Sequence, residues 1–120
     1  MLWGWLSSRN RKRHQRAMNS LVRIMNKNIE NDSLWQGRFY VRQVASRWHE
    51  YEDRSGGDLY VILRIYDKYT GMTRDVAGST NHWRYFNGSH LWWAVNNFIV
   101  DVTNEQFKER EFRGGDVQCQ

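Results

Sequence analysis

The chain has 120 residues and a net charge of +5, and hydrophobic residues make up 40% of it, with seven tryptophans. This length fits one domain and is too short for two. No apolar run approaches the roughly 20 residues that cross a bilayer, and a lone Cys119 excludes both an internal disulfide and a multi-cysteine metal site. We therefore expect a protein of a reducing, cytoplasmic compartment.

The positive charge is concentrated at the start of the chain. Residues 1–29 contain seven basic side chains and no acidic one, whereas residues 30–120 contain eleven basic and thirteen acidic side chains, a net −2. Such asymmetry is typical of a segment that meets an anionic partner. These basic residues, which we predict to contact nucleic acid, are Arg9, Arg11, Lys12, Arg13, Arg16, Arg23 and Lys27.

The first predicted element is a helix that begins after Ser7 and Ser8, a typical N-cap pair, and ends at about Asn28 or Glu30. Its apolar face consists of Met18, Leu21, Val22, Met25 and Ile29. At about 100° per residue, the opposite face carries Arg9, Arg13, Arg16, Arg23 and Lys27, a row roughly 27 Å long at about 1.5 Å per residue.

The first half of this helix has no apolar stripe, because Arg11 and His14 occupy the corresponding positions. A helix without packing contacts is marginal in water. We therefore predict a mobile basic leader over residues 1–15, a single domain over 16–112 and a frayed tail over 113–120.

Three strands are predicted next, at 38–48, 59–66 and 72–77. In the first, Phe39, Val41 and Ala45 are expected on one face and Tyr40, Val44 and Trp48 on the other. The second alternates most clearly, and Gly71 ends the hairpin loop that follows it. Ser89 is expected to cap a second helix to about Lys108, with a strand at 98–103 as the competing interpretation.

This order of elements predicts an α+β fold. It consists of an N-terminal amphipathic basic helix, a three- to four-stranded antiparallel sheet, and a C-terminal helix packed on the sheet.

A rigid row of basic residues suits a polyanion, because each neutralised phosphate releases counterions and arginine offers paired donors. The alternative is a solvated helix face, but such faces usually mix both signs of charge. A secondary surface is possible on the first strand, whose arginines would otherwise solubilise a sheet edge. Two aromatic residues are candidates for base stacking unless they belong to the core. These secondary candidates are Arg38, Arg42, Arg47, Trp83 and Tyr85.

Catalysis is not indicated. The densest group of possible metal ligands is His49, Glu50, Glu52, Asp53 and Asp58, but its spacing matches no metal loop, and no hydrolase or phosphate-loop motif occurs. We expect no enzyme, no cofactor and no bound metal. A small metal-dependent nuclease built on His49, Glu50 and Asp53 is the alternative. Membrane attachment through Leu2-Trp3-Gly4-Trp5-Leu6 is disfavoured, because the apolar stripe of the helix begins only at Met18.

The layout resembles the basic-leader members of the type II anti-CRISPR proteins of phages that infect Gram-positive bacteria. The likeness is carried by Arg9-Asn10-Arg11-Lys12-Arg13, by the segment 35–41 and by the strands at 38–48 and 59–66. It implies a non-enzymatic inhibitor, in the cytoplasm of the bacterial host, that binds an RNA-guided effector nuclease with its guide RNA and blocks DNA cleavage.

The sign of the charge narrows this hypothesis. An inhibitor that mimics DNA is acidic, since the duplex channel of the effector is cationic. A basic helix is instead expected to contact the guide RNA or the nucleic acid bound in the complex. The alternative is a general RNA- or DNA-binding protein of phage or bacterial origin, and the oligomeric state stays open.

Overall fold

The computed structural model describes the backbone of residues 2–35, 37–54, 56–80 and 88–119, and the side chains of those between 9 and 105. Within these ranges the elements are α1 (Leu2–Asn31), β1 (Phe39–Glu50), β2 (Gly57–Asp67), β3 (Thr73–Ser79) and α2 (Ser89–Cys119). The strands form one antiparallel sheet in the order β1-β2-β3. The predicted α+β fold, with one helix before the sheet and one after it, is confirmed.

The core lies between the two helices and one face of the sheet. Alternate residues of β2 are buried there, as the period of two predicts for a strand with one covered face. In α1 and α2 the buried residues recur every three or four positions, as expected for a helix with one side against the core. Among the side chains that the structure describes, the buried apolar residues of this core are Met18, Leu21, Met25, Ile29, Phe39, Val41, Leu59, Val61, Leu63, Ile65, Leu91, Val95, Phe98, Ile99 and Val102.

Both helices differ from their predicted bounds. α1 begins at Leu2, so the predicted cap at Ser7 and Ser8 lies inside the helix. In α2 the residues 98–103 are helical, so the competing strand is wrong, and the helix continues beyond Lys108 to Cys119.

Gly88 fixes the start of α2. The Trp92 N–H donates to the Gly88 carbonyl at 3.0 Å, so Gly88 and not Ser89 stands at the N-cap position. Gly88 has a φ of 69°, and a Cβ there would lie 2.5 Å from a Leu21 side-chain carbon. A residue with a side chain would therefore have a strained backbone and would force the Leu21 side chain to move.

A β-bulge at Val44 changes which residues of β1 face the core. Gln43 pairs with Leu63 and Ala45 pairs with Ile62, so Val44 has no partner on β2. The extra residue reverses the alternation beyond it. Ala45 consequently lies on the face away from the helices and Trp48 packs against the core, the opposite of the predicted arrangement.

Arg38 is buried, so the predicted place of this residue on a basic surface is wrong. Its guanidinium donates from Nε to Asp67 Oδ1 at 2.9 Å and from Nη2 to Oδ2 at 3.0 Å. It also lies 4.9 Å from the centroids of the Phe39 and Tyr69 rings. The Asp67 carboxylate accepts further hydrogen bonds from the Tyr69 N–H and the Thr70 hydroxyl. This buried pair joins the start of β1 to the end of β2.

We expect Asp67→Asn to lower the free energy of unfolding by about 3 kcal/mol, because the buried Arg38 loses its counter-charge. Burial acts to raise the pKa of Asp67, but the hydrogen bonds from Arg38, Thr70 and Tyr69 outweigh it and lower that pKa. The stabilisation is therefore present above about pH 4 and is lost as the pH falls through the lowered value. Urea unfolding at several pH values should show the two proteins converging in acid.

The matched control is Asp75→Asn, which breaks the exposed pair that Arg64 and Asp75 form across β2 and β3. It should leave the midpoint close to that of the wild type, since exposed ion pairs contribute little. Equal effects of the two substitutions would show that the Arg38–Asp67 pair does not tie the strands together.

Candidate nucleic-acid interface

The seven basic residues at the start of the chain all lie on α1, and all are exposed. The core takes Met18, Leu21, Met25 and Ile29 from the same helix, so the side opposite this stripe faces solvent. The predicted cationic residues are thus brought together on one helix, six of them away from the stripe, whereas Arg11 continues the line of the stripe beyond His14 and is exposed there. We call the set Arg9, Arg11, Lys12, Arg13, Arg16, Arg23 and Lys27 the cationic surface.

The charge of the cationic surface is largely uncompensated. Leaving Arg9 aside, none of the other six residues forms an ion pair with a carboxylate among the side chains that the structure describes. Arg23 contacts the Ser20 hydroxyl, at 3.4 Å from Nη2. Ordinary solvated helix faces carry acidic residues among the basic ones, and α1 has no acidic residue before Glu30.

His14 anchors the first half of α1, where the sequence analysis expects no packing. Its ring is buried, makes a hydrogen bond from Nδ1 with Thr80 Oγ1, and lies edge-on to Trp48 with centroids 5.1 Å apart. The Leu59 N–H donates to the same Thr80 hydroxyl oxygen at 3.0 Å. The expectation that this half lacks packing is therefore wrong at His14, while the mobility of residues 1–15 stays a prediction.

One signal in the sequence points to this role of His14. It precedes Met18 by four residues and Leu21 by seven, so it continues the buried stripe toward the N-terminus. A histidine can fill such a position when a hydroxyl satisfies its ring nitrogen.

Asn26 anchors the second half of α1 to the outer edge of β1. Its side-chain amide donates to the Val41 carbonyl at 2.9 Å, and its oxygen accepts from the Val41 N–H at 2.7 Å. The side chain thereby takes the place of a neighbouring strand and covers exposed backbone groups of an edge strand. Gln15 adds a side-chain hydrogen bond to Gln43 at 3.1 Å. No periodicity distinguishes Asn26 from the exposed asparagines of α1.

A groove of about 470 Å³ lies along α1 beside the edge of β1. Its walls combine Arg23 and Lys27 with one acid, Glu30, and with side-chain amides. The groove presents the cationic side chains of Arg23 and Lys27 next to amide N–H donors. Such a surface can bind a phosphate whose neighbouring groups accept hydrogen bonds. Its lining residues are Asn19, Val22, Arg23, Asn26, Lys27, Glu30 and Gln43.

The secondary candidates separate into three groups. Arg42 and Arg47 are exposed on the face of the sheet that the helices leave uncovered. Arg38 is buried with Asp67 and takes no part in a surface. Trp83 and Tyr85 lie outside the described residues.

The acidic cluster of the metal-nuclease alternative does not assemble. Over the described ranges, no three His, Cys, Asp or Glu side chains come close enough to share a metal ion. Asp58 instead accepts a hydrogen bond from the Tyr51 hydroxyl at 2.7 Å, and the Arg54 guanidinium lies 4.3 Å from the Tyr51 ring centroid. His49, Glu50 and Asp53 therefore do not form the metal site that this alternative requires.

Neither helix, over its described part, combines the length and the apolar character that crossing a membrane requires.

The state of His14 predicts a dependence of stability on pH. Burial lowers the pKa of His14, and the nearby Asp58 carboxylate opposes this shift without reversing it. The unfolded chain therefore binds the proton more tightly, so the free energy of unfolding falls as the pH drops below about 6.5. His14→Gln keeps a hydrogen-bond partner for Thr80 and should flatten this part of the profile.

Urea unfolding of both proteins between about pH 8 and 5 measures the effect. The ring resonances of His14, followed by NMR, should give a midpoint below 6.5 in the folded protein. A wild-type slope that persists in His14→Gln would assign the pH dependence to another group.

Comparison with known proteins gives no match: no family model fits the chain, and neither a curated protein nor a solved structure is significantly similar to it. The resemblance to anti-CRISPR proteins therefore stays a prediction from the sequence.

Proposed function

We propose that this protein acts by binding nucleic acid, without catalysis, and that the cationic surface of α1 is the contact. The observation that carries the proposal is the exposure of seven basic residues on one helix that has no acidic residue before Glu30. From Arg9 to Lys27 the row extends roughly 27 Å at about 1.5 Å per residue. That length is enough to meet several successive phosphates of one backbone.

The fixed position of α1 supports the same function. His14 holds the helix to Thr80 near the start of the basic row, and Asn26 holds it to Val41 near the end. Arg16, Arg23 and Lys27, which follow the predicted mobile leader, are therefore held in position before the partner arrives, so less conformational entropy is lost on binding through them. Arginine contributes more than charge, since its planar guanidinium donates two parallel hydrogen bonds to a phosphate.

We further propose that the nucleic acid belongs to a ribonucleoprotein, namely an RNA-guided type II effector nuclease with its guide RNA. The resemblance to the basic-leader anti-CRISPR proteins suggests this target, and the positive charge fits contact with the guide and not imitation of DNA. The near-neutral body offers apolar side chains for protein contacts, because Leu34, Trp93 and Val100 are 78%, 69% and 50% exposed.

A general nucleic-acid-binding protein is the second candidate, since the same surface serves either function. Competition separates the two. Free RNA or duplex DNA in excess should displace a general binder from an effector complex, whereas an inhibitor that also contacts the effector protein should stay bound.

The proposed target predicts inhibition of DNA cleavage by guide-loaded effector nucleases. A quadruple variant should lose that inhibition, because it removes four phosphate contacts. Its substitutions are Arg9→Ala, Lys12→Ala, Arg13→Ala and Arg16→Ala. The helix should persist, since all four positions are exposed and alanine favours helix formation. Cleavage of a labelled target, followed over time with each protein, measures the effect. Circular dichroism checks that the variant is folded.

The matched control replaces four basic residues outside α1, Arg54, Lys108, Arg110 and Arg113, with Ala. Both variants have the same net charge, so a difference between them depends on where the charges lie. The control should keep the inhibition, because its cationic surface is intact. If the wild type inhibits none of several effectors, the ribonucleoprotein target is wrong. Equal loss in both variants would show that net charge, and not the cationic surface, is responsible.

Binding through phosphates also predicts a steep response to salt. With about five contacts to duplex DNA, log K should fall by roughly 4 to 5 for each tenfold rise in salt. Replacing one member of the cationic surface, such as Arg16 by Ala, should reduce the slope by about 1. Fluorescence anisotropy over a series of salt concentrations measures both slopes. A flat response would identify the cationic surface as merely solvated.

A further inference from the structure

The face of the sheet that the helices leave uncovered has an ordered pattern. The pairing register places residues of the three strands in rows across it. These rows are Tyr40–Tyr66–Thr73, Arg42–Arg64–Asp75, Ala45–Ile62–Ala77 and Arg47–Tyr60–Ser79. We call this surface the open face.

Small side chains on the outer strands expose two larger ones at the centre. Ile62 lies between Ala45 and Ala77, and next to it Tyr60 lies beside Ser79. Tyr60 is 45% exposed and Ile62 is 38% exposed. The His49 ring lies next to Tyr60 in a T-shaped arrangement, with the two ring planes at 69° and the centroids 6.3 Å apart. A flat ligand therefore has an apolar shelf to rest on.

Unpaired cations border the shelf along β1. Arg42 and Arg47 are exposed, and neither forms an ion pair with a carboxylate in the part of the chain that the structure describes. Asp75, the acidic residue in the row of Arg42, is held by Arg64 through two hydrogen bonds of 2.6 and 3.0 Å. The Lys68 ammonium lies 5.3 Å from the centroid of the Tyr40 ring, which in turn stacks on Tyr66 at 4.5 Å. The open face thus has a net positive charge.

The Val44 bulge is what puts both arginines on this face. Residues five apart in a regular strand lie on opposite faces, yet Arg42 pairs with Arg64 and Arg47 pairs with Tyr60, both on the open face. The bulge therefore spaces two cations on either side of the apolar centre.

The open face therefore suits a partner that combines anionic groups with flat apolar groups. A single-stranded nucleic acid is such a partner. Its phosphates match the arginines, and its unpaired bases match the shelf by stacking on an aromatic ring. A duplex keeps its bases inside the helix and can offer the shelf only its backbone.

We propose that the open face binds single-stranded nucleic acid, with one base stacked on Tyr60 beside Ile62 and with phosphates on Arg42 and Arg47. The inference rests on the proposed nucleic-acid binding and specifies that the partner includes an unpaired segment. The two surfaces adjoin, because Asn26 ties α1 to the outer edge of β1 and the groove beside Arg23 and Lys27 includes Gln43 of that strand. A nucleic-acid strand that passes over the edge of β1 would contact both the cationic surface and the open face.

The test compares Tyr60→Leu with Tyr60→Phe in the full chain. Leu keeps an apolar side chain but removes the ring, whereas Phe keeps the ring and loses only the hydroxyl. The probes are a labelled RNA of about 12 nucleotides without base pairing and a fully paired duplex of the same sequence. Thermal unfolding checks that both variants fold. We expect them to fold, because Tyr60 is exposed and lies outside the core.

The expected result is about a tenfold loss of affinity for the single strand in Tyr60→Leu, little change in Tyr60→Phe, and duplex binding unchanged in both. The double variant Arg42→Ala, Arg47→Ala should weaken single-strand binding and reduce its salt slope by roughly 1.4, since each phosphate contact to a single strand contributes about 0.7. Covalent capture of a photoreactive base by a peptide containing Tyr60 would give independent support.

Other outcomes overturn the inference in distinguishable ways. If the wild type binds both probes and Tyr60→Leu binds the single strand equally well, the open face is not used and the proposed function stands. If the wild type binds neither probe, both proposals fail. If Tyr60→Leu loses affinity for the single strand and the duplex alike, the ring does not act by stacking on unpaired bases.

Discussion

The arrangement of the molecule depends on the burial of one stripe of α1 against β2. Met18 and Met25 on the helix, and Leu63 and Ile65 on the strand, are removed completely from solvent. Each such side chain contributes about 1.5–3 kcal/mol relative to exposure, so a rotation of α1 about its axis would forfeit several of these contributions at once. The same burial turns every basic residue of α1 except Arg11 outward, and most of the cationic surface is thus a direct consequence of core packing.

Apolar packing fixes the rotation of α1, and polar contacts fix its position along the sheet. Sliding apolar side chains over one another is comparatively tolerant, whereas the paired hydrogen bonds of Asn26 with Val41 fit one register only. His14 does the same at the other end through Thr80. A buried polar group that loses its partner is destabilising by roughly 1–3 kcal/mol, so these contacts select one position among several that the core would accept.

The sequence is informative wherever one face of an element is buried. The alternation from Leu59 to Ile65 and the helical spacing from Met18 to Ile29 identify β2 and α1, and Gly71 marks the hairpin between β2 and β3. It is uninformative where a long-range contact changes the role of a residue. Arg38 and Arg42 look alike in the chain, and only the meeting of Arg38 with Asp67, 29 residues away, separates a buried ion pair from a surface cation. The composition of Gln43-Val44-Ala45 likewise contains no sign of a bulge.

The bulge has a consequence for how this protein tolerates change. The side chain of Val44 is 40% exposed and its position has no partner on β2, so most substitutions there should be neutral. Loss of the residue would also leave the register in place, because Gln43 and Ala45 already pair with the successive residues Leu63 and Ile62. The shortened strand would pair regularly, with Arg47 still on the open face and Trp48 still toward the core. Natural variants should accordingly differ at position 44 in composition and even in the presence of a residue, whereas a single gap among the paired residues 45–50 would mark a chain that has rebuilt its open face.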